Sequence, residues 1–173
     1  MRPLTRAEVR DCIVNLYPAT ARVRLPAWFD DTRWDRIDYL GWRDTRAQQR
    51  AYLVADIDGA AQGVMLRQNP SQPALATRAV MCDLCRFTRR FNEVALFTAP
   101  RASTDKRRRL SAVGLLLCAD LDCVRNVHRT PTTGPHDPPA EQIVAARRSG
   151  LRERTADFLR SVPDTAATRR SSR

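Results

Sequence analysis

At 173 residues with a formal net charge of +11, the chain has room for one ordinary domain with extensions rather than two full ones. No apolar run is long enough to cross a bilayer, and residues 1–16 lack the apolar core of a signal peptide; a cytoplasmic protein is therefore expected, and a secreted disulfide scaffold is not. Lys106 is the only lysine, so arginine carries nearly all the positive charge, an excess that suits RNA, a ribosome surface, an acidic protein face or simply a solvated surface.

Thr5 and Glu8 form a capping box, and Val9, Cys12, Ile13 and Leu16 repeat on one helical face. This predicts an amphipathic helix over 5–16 that Pro18 ends, with Cys12 as a small buried hydrophobe. Residues 17–42 mix Pro18 and Pro26 with Trp28, Trp34 and Trp42 and show no sustained period. They predict turns and short helix with the aromatic rings packed inward; an exposed stacking surface for bases is the weaker reading. Residues 51–57 and 63–67 are β-prone runs flanking Asp58-Gly59 and predict a hairpin. A proline-containing connection over 69–73 leads to a strand over 79–81 that delivers Cys82.

A second hairpin is predicted from 93–98 and 112–117, its loop concentrating Arg101 and residues 106–109 into positive charge. Past Cys118 a strand end turns into a helix with Asp120 as its N-cap. Residues 131–139 form a proline-rich linker, and 140–162 a last helix started by Pro138-Pro139. Its Ile143, Leu151, Phe158 and Val162 share a face that Arg147 and Arg154 interrupt and Gly150 weakens, so partial docking is expected. Residues 163–173 read as a disordered basic tail.

Cys82-x2-Cys85 and Cys118-x4-Cys123 are two pairs at chelating spacing. Zinc takes four soft ligands in a tetrahedron, and a short loop inside each pair lets two sulfurs converge without backbone strain. The intervening residues 86–117 must then fold back. A redox Cys-x-x-Cys accounts for Cys82 and Cys85 but leaves the second pair without a purpose. Four thiolates close the coordination sphere, so the Zn2+ is read as structural and not as a Lewis acid. His128 and His136 are the only histidines, and the complete cysteine set does not need them. With no nucleophile and base constellation beside them, the chain is read as non-enzymatic. Arg86, Arg89, Arg90 and Arg125 lie near the ligands in sequence and are expected to offset the negative charge by N–H donation toward sulfur. A knuckle, a hairpin and then a helix whose first turn donates a ligand is the treble-clef arrangement. The fold class expected is α+β, a treble-clef zinc finger with β-hairpins, an N-terminal helix and a C-terminal helix.

Met81-Cys82-Asp83-Leu84-Cys85, Val94-Ala95-Leu96-Phe97-Thr98 and Cys118-Ala119-Asp120-Leu121-Asp122-Cys123 together resemble the elongation factor G-binding protein family in its C-terminal treble-clef zinc-finger domain. Leu40-Gly41-Trp42-Arg43-Asp44, then Arg50-Ala51-Tyr52-Leu53-Val54 and the hairpin around Gly59, are similar to its shorter actinobacterial members, so the likeness covers about residues 7–128. The resemblance implies a domain over 1–130 with its finger at 80–129, one structural zinc on Cys82, Cys85, Cys118 and Cys123, and a monomer that binds elongation factor G in translation. In the resistance proteins of that family this binding helps release the factor from ribosomes on which fusidic acid has trapped it. Resemblance and charge placement together make Asp83, Leu84, Arg86 and Phe87 of the knuckle, with Arg107, Arg108 and Arg109 of the hairpin loop, the expected partner surface. Binding to ribosomal RNA is the alternative. A DNA-reading role is weaker, since the helix over 123–128 offers only Arg125 and Asn126.

Overall fold

Residues 1–18, 21–70, 78–103 and 105–163 are described by a computed structural model; of the connection expected over 69–73 and the tail expected over 163–173, residues 71–73 and 164–173 lie outside them. Strand β2 (Arg50–Ile57) sets the architecture, because Ala51 to Ala55 are all buried. Side chains alternate across a strand, so such a run needs cover on both faces. Ala51, Leu53, Ala55 and Ile57 enter one apolar cluster, and Tyr52 and Val54 enter another on the opposite face.

The helices are α1 (Arg6–Asp11), α2 (Lys106–Arg109), α3 (Cys123–Val127) and α4 (Ala140–Ser161). Strands β1 (Leu40–Arg43), β2, β3 (Ala60–Gln68), β6 (Val94–Pro100) and β7 (Ala112–Cys118) form an antiparallel sheet in the order β1-β2-β3-β6-β7, and β4 (Val80–Met81) pairs with β5 (Thr88–Arg89) in a separate ribbon. One face of the sheet carries the N-terminal segment through Leu4, Val9, Ile13, Val23 and Phe29. The other carries the four paired cysteines, Leu84, Leu121 and Val127, with Leu151, Phe158, Leu159 and Val162 from the C-terminal end.

Both predicted hairpins are present, the first turning at Asp58 and Gly59 with positive φ of 53° and 82°. Such angles suit Asp-Gly in a two-residue turn. The capping box also forms: Thr5 Oγ1 accepts from Glu8 N at 3.1 Å, and Glu8 Oε2 accepts from Thr5 N at 2.7 Å. That backbone bond, with Arg2 beside it, lowers the Glu8 carboxyl to about 2.

Helix α1 stops at Asp11, well short of residue 16, because the chain beyond it joins the sheet. Gly63 N donates to Cys12 O at 3.1 Å and Val14 N to Gly63 O at 3.0 Å. Unpaired strand edges are costly, and among the described residues β3 pairs with β6 only near its C-terminal end, at Arg67 and Gln68, with Asn69 N donating to Leu96 O just beyond. Asn15 fills the remaining gap. Its amide donates to Met65 O and Pro100 O, both at 2.9 Å, and its carbonyl accepts from Met65 N at 2.7 Å, standing in for a peptide between β3 and β6.

A Cβ added at Gly63 would lie 2.7 Å from both Ile13 Cδ1 and Val54 Cγ2. Gly63→Ala is therefore expected to cost about 1–3 kcal/mol through overpacking, read as a lower midpoint in urea denaturation. An unchanged midpoint would show that the N-terminal segment is not seated there.

Residues 17–42 contain two 3-10 turns, Ala27–Asp31 and Trp34–Arg36, as the sequence implies, but also β1, which it does not. Trp42 lies on that strand opposite Tyr52, rings stacked at 4.9 Å, and its Nε1 donates to Arg24 O at 2.8 Å. Trp34 packs edge-on to Phe29 at 5.6 Å. Trp28 departs from the inward expectation and is 47 % exposed.

Candidate metal centre

The four paired cysteines are buried, and their sulfurs all lie within 4.8 Å of one another, with Cys82 Sγ 3.5 Å from Cys123 Sγ and Cys85 Sγ 3.7 Å from Cys118 Sγ. Each element delivers its ligand for a local reason. The β4-β5 ribbon closes the first knuckle: Cys82 N donates to Phe87 O at 3.0 Å, and Arg86 N to Cys82 O at 2.9 Å. Strand β7 ends on Cys118 and α3 begins on Cys123. The turn between them is closed by Leu121 N donating to Cys118 O at 2.9 Å. Arg86 and Leu121 take the left-handed conformation, φ 62° and 60°, which costs a non-glycine residue roughly 1–2 kcal/mol. Ligation of one ion by both knuckles would offset that cost.

The electrostatics call for a cation. Thiol donation from Cys118, Cys123 and Cys85 holds Cys82 far below the ordinary thiol range. Hydrogen bonding with Cys118, Cys82 and Cys85, and then burial, pushes Cys123 far above it. Four sulfurs this close cannot all ionise unaided; a divalent ion supplies the missing charge. An all-sulfur tetrahedral donor set suits zinc, and Cys82, Cys85, Cys118 and Cys123 are placed to hold one such ion. Cys12 stands apart from this group, its thiol raised to about 12 by burial and donating to Val9 O at 3.4 Å.

Two residues that support the centre are not evident from ligand spacing. Asn126 is buried, and its Nδ2 donates to Cys118 Sγ at 3.3 Å and Cys85 Sγ at 3.8 Å. Its position one turn after Cys123 in α3 is the only signal in the sequence. Tyr39 clamps the second knuckle from below: its hydroxyl donates to Leu121 O at 2.7 Å and accepts from Cys123 N at 3.2 Å.

The arginines expected at the sulfurs are arranged differently. Arg89 acts through Asn126, donating to its Oδ1 at 2.8 Å while pairing with Glu93 at 3.0 Å. Arg86 and Arg90 are exposed, and Arg125 turns to Asp122 at 3.6 Å. The sulfurs receive an amide because a neutral N–H donor fits this buried space at less desolvation cost than a guanidinium. Asn126 is thereby withdrawn from any base-reading role. The N-cap of α3 is Asp122, whose Oδ1 accepts from Arg125 N at 3.2 Å, rather than Asp120, which instead accepts from Asp122 N at 3.0 Å. His128 faces Asp38 at 3.7 Å, and His136 is exposed.

The expected partner residues divide into two groups. Leu84 is only 2 % exposed, which corrects its expected place on the surface. Asp83 is tied to strand β7, its N donating to Leu116 O at 2.7 Å and its Oδ2 accepting from Leu116 N at 2.6 Å. Phe87 lies beneath the Arg147 guanidinium at 5.1 Å, and Arg154 Nε donates to Leu84 O at 2.6 Å. The two arginines that interrupt the apolar face of α4 therefore dock it on the knuckle. Arg86, Arg107 and Arg108 are exposed and Arg109 half-buried.

Helix α4 is fixed at a second point by Asp38, whose carboxylate is 1 % exposed. It accepts from Arg148 Nη2 and Arg152 Nη1 at 3.0 Å and from Arg148 Nε at 3.2 Å. Among the described residues, no helix is long and apolar enough to cross a membrane.

Neither a curated protein nor a solved structure matches the chain. A family profile does match, over residues 8–162, and its description is the FBP C-terminal treble-clef zinc-finger. A knuckle on a strand ribbon, an antiparallel hairpin and a helix starting on the last of four converged cysteines agree with that match, and the chain belongs to the FBP C-terminal treble-clef zinc-finger family.

Proposed function

We propose that this zinc-stabilised domain is a non-enzymatic binding protein that engages elongation factor G and so acts in translation, including release of the factor from the ribosome under fusidic acid. Family membership supports the zinc-finger scaffold, and the resemblance to the elongation factor G-binding proteins supports the partner. The observation that carries the surface is the hairpin loop. The Arg109 guanidinium lies 4.5 Å over the Tyr17 ring, and beside them Tyr17 is 70 % and Leu110 81 % exposed, with Arg107 and Arg108 in solvent. Exposed apolar groups rimmed by arginine make a hot-spot composition, and positive charge favours encounter with an acidic partner face. The knuckle contributes Arg86 at most, since α4 covers Leu84 and Phe87.

Reversal of Arg107, Arg108 and Arg109 to Glu is expected to weaken elongation factor G binding by about tenfold or more in a quantitative pull-down, with zinc content unchanged. Full retention of affinity would remove the loop from the interface. Gel filtration with purified factor, and separately with nuclease-treated ribosomes, tests the partner itself.

A further inference from the structure

A cleft of about 760 Å³ opens beside the metal centre, between the β4-β5 ribbon and α3, and is lined by Arg78, Arg89, Arg90, Arg125 and Arg129 together with Phe91. Its single acid, Glu93, is already paired with Arg89 at 3.0 Å, and Arg125 shares Asp122 at 3.6 Å. Among the described residues, no carboxylate pairs with Arg78, Arg90 or Arg129, and all three are exposed. Five guanidiniums line the cleft with one carboxylate, Glu93, which accepts from the Arg90 backbone N as well as pairing with Arg89. Even with the thiolates nearby, positive charge is in excess there and costly by self-repulsion, so its gathering on the walls of one concavity points to an anionic occupant. The floor is rigid: Asn126 is held between Arg89 on one side and the sulfurs of Cys118 and Cys85 on the other. Phe91 is 39 % exposed among these cations.

From this geometry we infer that the cleft is a single-stranded RNA-binding site, separate from the Arg107–Arg109 loop and independent of elongation factor G binding. Each nucleotide of a strand offers a phosphate and a flat base. The free guanidiniums match the first, since Arg meets phosphate oxygens with a planar fork of donors. The Phe91 ring matches the second, since base–aromatic stacking is tolerant of sequence. An acidic peptide would satisfy the arginines but brings a ring to Phe91 only where an aromatic residue stands beside the acids, whereas every nucleotide brings a base. No carboxylate is left over in the lining to read exocyclic amines, so recognition rests on backbone and stacking, with little base preference and strong salt dependence.

The test uses the zinc-loaded full chain, a short labelled oligouridylate and fluorescence anisotropy. An Arg78→Glu, Arg90→Glu, Arg129→Glu variant is expected to lose about tenfold or more in affinity, with the slope of log affinity against log salt reduced by about two, since a phosphate contact on a single strand contributes about 0.7. The comparison variant Arg10→Glu, Arg22→Glu, Arg46→Glu removes equal charge at a separate surface lined by those residues near α1 and should lose much less. Equal losses in the two variants would overturn the site in favour of diffuse charge. Polyglutamate competing as well as unlabelled RNA at matched charge would overturn it in favour of an acidic protein segment. Should the triple reversal lower zinc content, Phe91→Ala with Arg90→Gln decides the matter. It should weaken RNA binding several-fold at full zinc occupancy, and unchanged affinity there overturns the proposal.

Discussion

Cys118→Ser is expected to leave the protein with almost no bound zinc and no cooperative thermal transition. Cys118 is fully buried, sits at the end of β7, and contacts both Cys85 and Asn126. Structural zinc in a finger contributes on the order of 10 kcal/mol, comparable to the whole stability of a small domain. Loss of the ion also leaves the left-handed conformations of Arg86 and Leu121 supported only by hydrogen bonds to Cys82, Cys118 and Tyr39. The damage should spread, because the four cysteines share one apolar cluster with Leu53, Leu66, Phe97, Leu151 and Leu159. Metal analysis alongside a melting curve checks this. Stoichiometric zinc with an unchanged melt in the variant would mean that the sulfurs do not form a common site.

Asp38→Asn should release α4 while leaving zinc in place. The substitution keeps the shape and removes the charge that Arg148 and Arg152 share. Breaking a fully buried ion pair costs about 3–5 kcal/mol. Here the guanidinium side chains are 28 % and 53 % exposed, so water recovers part of the loss and about 2–3 kcal/mol is expected. For a chain of this size that is a drop in melting temperature of about 5–10 °C. Hydrogen exchange separates this effect from general weakening: amides of α4 should lose protection while those of β2 and β3 keep theirs. Equal protection in α4 with and without the carboxylate would show that Leu151, Thr155, Phe158 and Leu159, its buried residues, are sufficient to hold the helix.

These two substitutions lie on opposite sides of what could be read directly. The metal ligands were legible because chelation imposes short, fixed spacings on one stretch of chain. Both hairpins were legible from alternating β-prone runs and an Asp-Gly turn, and the start of α1 from its capping box, because each depends on neighbours within a few residues. Asp38 carried no such signal. An acid among Ile37, Tyr39 and Leu40 gives no indication that it faces Arg148 and Arg152, more than 100 residues away. Strand β1 was hidden for a related reason: its stability comes from pairing with β2 and from Trp42 stacking on Tyr52, both formed only in the sheet. Helix α1 ended early because the open edge of β3 offered the backbone of Cys12 to Val14 better-buried hydrogen bonds than a further helical turn.

By itself, the order of residues determined that the chain would close around a thiolate-bound ion, carry two hairpins and bear a large arginine excess, since spacing, alternation and charge are properties of neighbouring positions. Tertiary structure decided which arginines face solvent and which are spent inside. Arg147 and Arg154 lock α4 onto the knuckle and Arg89 props up Asn126, while the guanidiniums of Arg78, Arg90 and Arg129, without a carboxylate partner among the described residues, line one cleft. The physical reason is that a guanidinium's role depends on the carboxylates, carbonyls and rings brought within a few ångströms of it by contacts distant in sequence, and the packing of layers on the two faces of β2 alone makes that choice.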